Sequence, residues 1–451
     1  MTPFPSSYRL SGRLLEALAR GGGGAEAVRL LENSEYSRRL VLLRAVLDRA
    51  REHGGSTGAG VGRLFGVLTD AWRRAPDVTR FVLGHPSVGP RLVTTWQALD
   101  VPEPDPVVHL PLSSVAAATA VATGVEASVA LTASGPGVVL PGLGALRVPR
   151  LGAGAEVRLR SRAAGGVVET VTGTRTGIPP ASALRVERAG WWPLREAATR
   201  PGGPVLIDDV DPVASTGATP RGLSAGELRA WRSGTTAALR LLRLRHTGYA
   251  TELDTVLRTL VPAPAVTGVA TRRSGSSAEM FGGVELSRPA TEQDFAESLV
   301  HETQHSKLAA VMHLVDLLAD PGPAAPAVHY APWRDDPRPL LGLLHGTYAF
   351  LSVARFWAQE VGSVTGAAQR HEAQVRCARW RDAATETAYV MLAADRELTP
   401  AGHVFVAAMA QALADLRAVP LPASAVREAR RQAERHLRRW RERNPALATG
   451  G

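Results

Sequence analysis

The sequence predicts an α+β fold that is mainly helical, with a β-rich middle region and a helical C-terminal half. Apolar residues recur at spacings of three and four from residue 8 to about 100, and again from about 224 onward. That recurrence matches the period of amphipathic helices. Between Pro102 and Pro212 the helical signal is weak. Short alternating runs separated by glycine and proline replace it, which is typical of strands joined by turns.

The length of the chain predicts more than one domain. Its 451 residues exceed what one ordinary hydrophobic core organises. The changes in composition divide it into an N-terminal helical region at 1–101, a β-rich region at 102–215 and a helical domain at 216–451. The last domain contains a His-Glu-x-x-His motif and ends in a basic helix.

Start and stop signals mark the N-terminal helices. "SGRLLEALAR" begins with Ser11, a residue type that caps helix N-termini, and the four glycines at 21–24 interrupt the helical pattern. The pattern resumes in "AEAVRLLENSEYSRRLVLLRAVLDRAREHGG" and stops at a glycine pair. We therefore expect helices on both sides of the glycine run.

The β-rich region ends in an acidic turn, "GPVLIDDVDP", which contains Asp208, Asp209 and Asp211. Carboxylates are ligands for hard cations such as Ca²⁺. Aspartates are also common in turns, where they hydrogen-bond their own backbone. We interpret the segment as a solvated turn rather than as a cation site.

The net charge of +10 does not indicate nucleic-acid binding. Lys307 is the only lysine, and the arginines are spread along a chain rich in alanine, glycine and proline. The one local cluster, from Arg427 to Arg443, is interspersed with glutamates, which favours a solvated helix face over a nucleic-acid-binding arm. No apolar stretch reaches the roughly twenty residues that a membrane span needs. We therefore expect neither nucleic acid nor a membrane as partner.

Cysteine content and the first residues favour a cytoplasmic location. Cys377 is the only cysteine, so the chain can form neither an internal disulfide nor a cage of thiolate metal ligands. Both features suit a reducing compartment. The segment "MTPFPSSYRLSGRLLEALARGGGG" lacks the apolar run of a signal peptide.

The segment "LVHETQHSKL" contains the His-Glu-x-x-His motif at His301, Glu302 and His305. Two histidines one helical turn apart are a common metal-binding pair. On a helical wheel both histidines fall on the apolar stripe and face the interior, while Glu302 lies beside them. That placement suits a catalytic role for Glu302 at a metal-bound water, or the orientation of a ligand.

Local signals also set the limits of the motif helix. Thr291 and Asp294 form a predicted capping box, so we expect the helix to run from Glu292 to about Leu318. Lys307 points away from the histidines on the same wheel. For it we expect a salt bridge or a surface position.

The motif supplies two metal ligands, so a third must come from elsewhere in the chain. The metzincin extension is excluded because Leu308 and Val311 occupy the positions of its glycine and histidine. A carboxylate from a later helix, Glu360 or Glu372, is one possibility. We favour His345, which lies in "LLGLLHGTYAFLSVARFW" close to the apolar side of a predicted helix.

A proline-rich loop, "HYAPWRDDPRP", separates the two predicted ligand helices and contains Arg334 and Arg338. Arginine binds carboxylates through two parallel hydrogen bonds, so either side chain is a candidate clamp for a carboxylate ligand. An ion pair with an aspartate of the same loop is an equally good interpretation for either arginine.

Three segments together resemble a known family. "LVHETQHSKL", "YAPWRDDPRP" and "LLHGTYAFLSVARFW" are similar to the HExxH-motif peptide-modification proteins of actinobacterial ribosomal-peptide clusters. The resemblance is strongest from about residue 275 to 360. The phrase H-E-x-x-H-S-K-L, followed by W-R-x-D-P-R-P and H-G, is far more specific than the bare metal motif.

The resemblance implies an iron- and 2-oxoglutarate-dependent β-hydroxylase that acts on a side chain of a ribosomally made precursor peptide. It implies that His301 and His305 bind Fe(II), with His345 as third ligand. Glu302 then either orients a ligand or water, or is itself the carboxylate ligand. The residues expected to bind 2-oxoglutarate are Arg334, Arg338 and Tyr330.

Two other functions stay open at this point. A zinc metallopeptidase would use Glu302 as general base for a zinc-bound water and a carboxylate such as Glu360 as third ligand. A peptide-binding escort with a vestigial metal site would capture a peptide by strand addition in the β-rich region. The strand expected at 279–287 offers a second edge for such pairing. The sequence does not indicate an oligomeric state.

Overall fold

The computed structural model of the chain describes residues 8–102, 110–135, 137–213, 222–264, 274–275, 277–320, 322 and 327–448. The protein is mainly helical and its larger sheets lie in the middle of the chain, which confirms the predicted α+β class. The boundary predicted near residue 215 lies outside the described residues.

Helices occupy the first hundred residues and most of the chain after residue 290. The α-helices of the described residues are α1 (Gly12–Ala19), α2 (Gly24–His53), α3 (Gly55–Arg74), α4 (Pro76–Leu83), α5 (Val88–Leu99), α6 (Leu110–Thr123), α7 (Ala225–Arg245), α8 (Thr247–Val256), α9 (Glu292–Met312), α10 (Leu340–Ser363), α11 (Ala367–Ala393), α12 (Pro400–Asp415), α13 (Ala423–Arg443) and α14 (Pro445–Ala448).

Most strands lie between α6 and α9. The strands of the described residues are β1 (Ala127–Thr132), β2 (Gly137–Leu140), β3 (Gly144–Arg147), β4 (Glu156–Arg162), β5 (Gly165–Thr170), β6 (Arg175–Ile178), β7 (Trp191–Pro193), β8 (Arg195–Arg200), β9 (Gly203–Ile207), β10 (Thr259–Pro262), β11 (Ser274–Gly275), β12 (Gly283–Leu286), β13 (Val328–His329) and β14 (Arg338–Pro339). They form sheets in the orders β1-β4-β5-β6, β2-β3-β7, β11-β12-β10-β9-β8 and β13-β14. Strand β10 pairs in parallel with β9 and β12, and the other pairings are antiparallel.

The described residues form two compact units, each assembled from segments that are separate in sequence. One unit takes the described parts of Met1–Glu32, Ala237–Val256 and Ala290–Gly451. The other takes those of Asn33–Thr236 and Leu257–Pro289. The first unit contains the motif helix α9, and the second contains strands β1 to β12. The three consecutive segments expected from composition stay a prediction about domain organisation.

Strand β4 shows why the middle region forms antiparallel sheets. Along Glu156–Arg162 the side chains alternate between exposed and buried, as expected for a half-buried strand. Leu159 lies opposite Val129 on one neighbouring strand and opposite Val168 on the other. All three side chains are buried and belong to one hydrophobic core, so the apolar residues of the alternating pattern point into that core.

Helix α6 is an element that the sequence analysis missed. Its sequence, LPLSSVAAATAVAT, has no polar face, so the periodicity of an amphipathic helix is absent. In the structure nearly every side chain from Leu112 to Thr123 is buried, with α3, α4, α5 and β1 packed around the helix. The expectation of little helix between Pro102 and Pro212 was wrong here because this helix is enclosed on all sides.

The acidic turn is also buried rather than solvated, which corrects the sequence interpretation. Asp208 and Asp211 are 1% and 2% exposed. Arg91 forms two hydrogen bonds with Asp211, at 2.9 and 2.8 Å, and Arg195 pairs with Asp209. Asp208 accepts a hydrogen bond from the backbone N–H of Asp211 at 3.1 Å. Arg91 and Arg195, which lie outside the acidic turn, therefore compensate the charges of Asp211 and Asp209. The sequence pattern had indicated carboxylates in contact with solvent.

The strand predicted at 279–287 is present as β12, but its edge is partly covered. Strand β10 pairs with it along its whole length, and β11 pairs with it at Glu285 and Leu286. All four residues of β12 are buried. At these two residues β12 therefore has neighbours on both sides, which leaves no free edge there for a peptide.

Candidate metal centre

Helix α9 begins as predicted and carries the motif. The Thr291 hydroxyl accepts a hydrogen bond from the backbone N–H of Asp294 at 3.1 Å, which caps the helix N-terminus. The helix ends at Met312, earlier than the expected Leu318. Its continuation pairs instead with the segment before α12, where Leu318 bridges to Leu398.

Between Ser298 and Val311 every residue of α9 is buried except the two motif histidines. Helices α8 and α10 pack against α9, and Glu302, Gln304 and Lys307 are all at most 1% exposed. His301 keeps 20% of its side-chain surface exposed, and His305 is also only partly buried. The histidines therefore do not face a sealed interior, as the wheel predicts, but a face of α9 that solvent reaches.

The two imidazoles point their Nε2 atoms at each other. These atoms are 3.1 Å apart, and the ring centroids are 4.7 Å apart. A carboxylate oxygen of Glu302 lies 3.8 Å from His301 Nε2, and the ligand atoms of the three residues all lie within 4.8 Å of one another. Two imidazole nitrogens that share one metal ion at about 2.1 Å each lie about 3.0–3.4 Å apart, so the pair fits a single ion.

Burial keeps the candidate ligands neutral. It lowers the pKa of His301 to about 4 and, with a smaller effect from the Arg338 charge, that of His345 to about 4. Burial also lowers the pKa of His305 well below its usual value, and the neighbouring histidines add to the effect. At neutral pH these imidazoles are therefore uncharged, which is the form that binds metal.

His345 lies beside the motif but is not part of the tight group of ligand atoms. Its ring centroid is 5.7 Å from that of His305, with the ring planes 35° apart. The structure therefore brings His345 from α10 next to the motif histidines. Within the described residues, the ligand atoms that already converge are those of His301, Glu302 and His305.

The carboxylates considered as alternative third ligands are engaged elsewhere. Glu360 is fully buried and accepts hydrogen bonds from Arg245 at 2.9 Å and His246 at 3.0 Å. Glu372 pairs with Arg376 at 2.6 Å. The structure brings neither glutamate to the motif. Neither of them is therefore placed as the third ligand that a zinc peptidase would need.

Both loop arginines form the intraloop ion pairs considered from the sequence. Asp336 accepts from Arg334 and from Arg338, each at 3.0 Å. Arg338 lies two residues before the first residue of α10, and its Nε lies 3.0 Å from the position that a Cβ would take at Gly342. Its charge is close enough to His345 to lower the pKa of that imidazole. Arg338 is therefore the loop arginine that the structure brings near a candidate ligand.

Tyr330 is turned toward helix α13. Its hydroxyl lies 2.8 Å from Nδ1 of His436, and its ring meets that of Trp440 with centroids 5.2 Å apart. Burial raises its pKa to about 12, so the phenol stays neutral. These contacts show Tyr330 as a support of the loop, and its expected contact with 2-oxoglutarate stays a prediction.

An aromatic wall beside the histidines is the part of the site that sequence reasoning missed. It consists of Trp333, Phe350 and Trp380, all partly exposed. Phe350 stacks on Trp333 with ring centroids 4.9 Å apart, and its ring is tilted by 30° against that of Trp380 with centroids 4.3 Å apart. Its ring also meets His301 edge-on at 5.0 Å. The available signal was large aromatic residues near the motif in a chain with only 5% aromatics.

Gly346 makes room for this wall. A Cβ at that position would lie 2.2 Å from two indole carbons of Trp333, so no larger residue fits without displacing the ring. The glycine that follows His345 thus allows Trp333 to lie directly on α10. The H-G pair quoted from the sequence therefore combines a candidate ligand with a close helix–loop contact.

Lys307 forms the salt bridge expected for it, but in a buried position. Its Nζ donates to Glu252 and to the carbonyl of Gly22, each at 2.7 Å, and the side chain is 0% exposed. Glu252 also accepts from the backbone N–H of Gly24 at 3.3 Å. One ammonium group thereby ties the glycine turn after α1 to the helix that carries the histidines.

Comparisons with known proteins add no relative to this description. No protein-family model matches the chain, and no curated protein matches it. Among the described residues, no helix combines the length and apolarity that crossing a bilayer requires.

Proposed function

We propose that the protein is an Fe(II)- and 2-oxoglutarate-dependent hydroxylase that acts on a side-chain β-carbon of a ribosomally made precursor peptide. The observation that carries the proposal is the pair of neutral imidazoles on α9, whose Nε2 atoms lie 3.1 Å apart. The sequence phrases around these residues, which resemble the peptide-modification family, supply the choice of metal and reaction.

Imidazole ligands suit Fe(II) as well as Zn(II), so the choice between them depends on the rest of the site. His301 and His305 hold the ion, and His345 or Glu302 completes a set of three. The zinc peptidase alternative needs a glutamate from a later helix, and Glu360 is committed to Arg245 and His246. That commitment favours the oxidative reaction.

Bound Fe(II) supplies the chemistry by which 2-oxoglutarate, O₂ and a peptide C–H group become succinate, CO₂ and a peptide C–OH group. The chain's own residues bind and orient the reactants. Arg338 releases its partner Asp336 and binds the distal carboxylate of 2-oxoglutarate in its place. Glu302, fully enclosed beside His301, holds a ligand or water in place.

The aromatic wall gives the centre one apolar side. Trp333, Phe350 and Trp380 keep partial exposure and adjoin His301. A peptide side chain laid against these rings displaces water from the histidines' open face. Exclusion of water protects a reactive centre from unproductive turnover.

The experiment that tests the proposal starts from protein purified without oxygen and loaded with Fe(II) and 2-oxoglutarate. O₂ is then admitted, and succinate is measured with and without candidate precursor peptides. We expect peptide-stimulated succinate and a peptide heavier by one oxygen atom. His305→Ala should abolish both, while His371→Ala, a partly exposed histidine on α11 paired with Glu428, should retain them.

Two further outcomes separate the alternatives. Peptide shortening that zinc restores after chelation would overturn the proposal and make Glu302 a general base. Within the proposed reaction, Arg338→Gln should raise the KM for 2-oxoglutarate by about 10- to 100-fold, the typical effect of losing a hydrogen-bonded charge. Arg334→Gln, which also removes a bond to Asp336, serves as the matched control.

A further inference from the structure

Helix α13 presents a dense row of arginines to solvent. Its exposed arginines are Arg427, Arg430, Arg431, Arg435, Arg438, Arg439, Arg441 and Arg443. Three glutamates, at 428, 434 and 442, lie among them. At 100° per residue six of these arginines fall within an arc of about 140° on one side of the helix.

Among the residues that the structure describes, few of these charges are matched by acidic groups. Within residues 327–448, one arginine of α13, Arg443, forms an ion pair, and its partner is Asp335. One of the three glutamates, Glu428, is itself engaged by His371 at 3.0 Å. The face from Arg427 to Arg441 thus carries a concentrated positive charge that a partner can match.

The opposite face fixes α13 in the unit, so the arginine face is not part of a loose arm. Ala425 and Ala429 pack against Val375 and Ala378 of α11 in one buried cluster. Near the other end of the helix Trp440 is 5% exposed. Because both ends are anchored, binding along the arginine face need not first order the helix.

The anchored end of α13 also supports the loop beside the candidate metal centre. His436 contacts the Tyr330 hydroxyl at 2.8 Å, and the Asn444 amide donates to the Asp335 carbonyl at 3.0 Å. The same loop contributes Trp333 to the aromatic wall, which adjoins His301. The arginine face therefore leads toward the elements that form the candidate active site.

We propose that this face of α13 binds an acidic segment of the substrate peptide, outside the residue that is modified. The inference rests on the proposed function for its choice of substrate. Arginine guanidinium groups bind carboxylates through paired hydrogen bonds, and several of them supply charge complementarity. The distance from Arg427 to Arg441 is about 21 Å along the helix. An extended acidic segment of about six or seven residues covers it.

The composition of the face favours a peptide over a nucleic acid. Proteins that bind single strands combine positive charge with aromatic side chains on which bases stack. Here Trp440 is buried, and the exposed positions between the arginines carry glutamates, which repel a continuous phosphate chain. Carboxylates spaced along a peptide can pair with separate arginines and avoid those glutamates.

The test measures binding without iron or 2-oxoglutarate, so it does not depend on turnover. The probe is a fluorescein-labelled ten-residue peptide of alternating glutamate and alanine, and its anisotropy is followed as the full chain is added at low salt. We expect binding that weakens with salt. The variant R427Q/R431Q/R435Q/R438Q should weaken it at least about tenfold, because it removes four of the charged groups that bind the peptide's carboxylates.

The matched control removes the same charge elsewhere. The variant R44Q/R51Q/R63Q/R73Q changes four exposed arginines of α2 and α3 and should bind within about threefold of the parent, because none of the four lies on α13. Equal weakening by both variants would mean attraction by net charge alone and would overturn the proposal. So would tighter binding of a ten-nucleotide oligouridylate, or no peptide binding at low salt.

Activity measurements separate this proposal from the hydroxylase proposal. If the α13 variant loses peptide binding but keeps peptide-stimulated succinate with an unchanged KM for the precursor, only the docking proposal fails. If acidic peptide binds through α13 but no succinate forms with any precursor, the hydroxylase proposal fails while the surface assignment stands. Unchanged thermal unfolding of the variants shows that neither result comes from misfolding.

Discussion

The acidic cluster at Asp208, Asp209 and Asp211 and the histidine cluster at His301 and His305 use their ligand atoms differently. Both consist of side chains that bind metals, and both lie wholly or largely inside the protein. Most of the aspartate oxygens accept hydrogen bonds from Arg91, Arg195 or backbone N–H groups, while among the described residues Asp208 Oδ2 and Asp209 Oδ1 accept none. The histidines direct their Nε2 atoms at one another.

The difference shows what identifies a metal site beyond residue type. A carboxylate cluster held mostly by arginines and backbone N–H groups is part of the fold, because a metal must displace those partners to bind. The two Nε2 atoms, 3.1 Å apart, face each other rather than an arginine or a backbone group, and their spacing fits a shared ion.

Arg91→Met should strongly destabilise the protein without changing metal binding. The substitution leaves the Asp211 carboxylate, 2% exposed, without the arginine that compensates it. Removing one partner of a buried ion pair typically costs about 3–5 kcal/mol. The change is measured as the urea-unfolding free energy. Arg44→Met, which removes an exposed pair with Asp48, is the control and should leave the unfolding free energy nearly unchanged. Equal losses in both would show that Asp211 is not compensated by Arg91.

His305→Ala should abolish stoichiometric metal binding while leaving the acidic cluster intact. We expect the affinity for Fe(II) or its Co(II) substitute to fall at least about 100-fold, more than loss of an outer partner typically costs. Metal content after anaerobic loading and desalting measures it. Asp211→Asn and His371→Ala are the comparisons and should retain bound metal if they fold. Retained metal in His305→Ala would remove the basis of the proposed centre.

Asp208→Asn should stabilise the protein progressively as pH rises. Burial, with Asp211 second, raises the pKa of Asp208 well above its usual value. A carboxyl with a raised folded-state pKa contributes stability that is present below its unfolded pKa, near 4, and is lost as pH rises. Asparagine does not titrate, so the variant does not lose this stability as pH rises. The advantage of the variant should therefore grow by about 1.4 kcal/mol per pH unit while the folded group stays protonated.

Urea unfolding at pH 4.5 and pH 6.5 measures this advantage for Asp208→Asn. The control is Asp48→Asn, since Arg44 holds the pKa of that exposed carboxyl below its usual value. Its advantage should not grow with pH. If the advantage of Asp208→Asn is also constant, the buried carboxyl is ionised and the cluster holds more charge than we infer.

Gly346→Ala should disturb the aromatic wall at moderate cost. The new Cβ would lie 2.2 Å from the Trp333 indole, so the ring must move. Overpacking of this kind typically costs about 1–3 kcal/mol. Tryptophan fluorescence and unfolding free energy measure the change. Gly362→Ala on the same helix has no atom within 4 Å of its Cβ and should be neutral or stabilising. Unchanged fluorescence in Gly346→Ala would contradict the contact with Trp333.

The sequence predicted those features that depend on local signals. The start of α9 follows from Thr291 and the residue three positions later, and the meeting of His301 with His305 follows from helical spacing. The early end of α9 could not be predicted because Leu318 pairs with Leu398, far away in sequence.

The features that the sequence did not reveal depend on which elements pack together. The aromatic wall needs α10 and α11 side by side, with Gly346 open to Trp333. Helix α6 gave no periodic signal because it is surrounded by apolar neighbours. The burial of Asp211 depends on Arg91, 120 positions earlier in the chain. None of these partners can be identified from one sequence without its tertiary contacts.

The burial of Lys307 makes the folded chain nearly inert to lysine-directed chemistry. It is the only lysine, its side chain is 0% exposed, and its Nζ is held by Glu252 and Gly22. An acylating reagent can reach this amine only when the glycine turn separates from α9. The rate of Lys307 modification, read by mass spectrometry, therefore reports how often the protein opens next to the candidate metal centre.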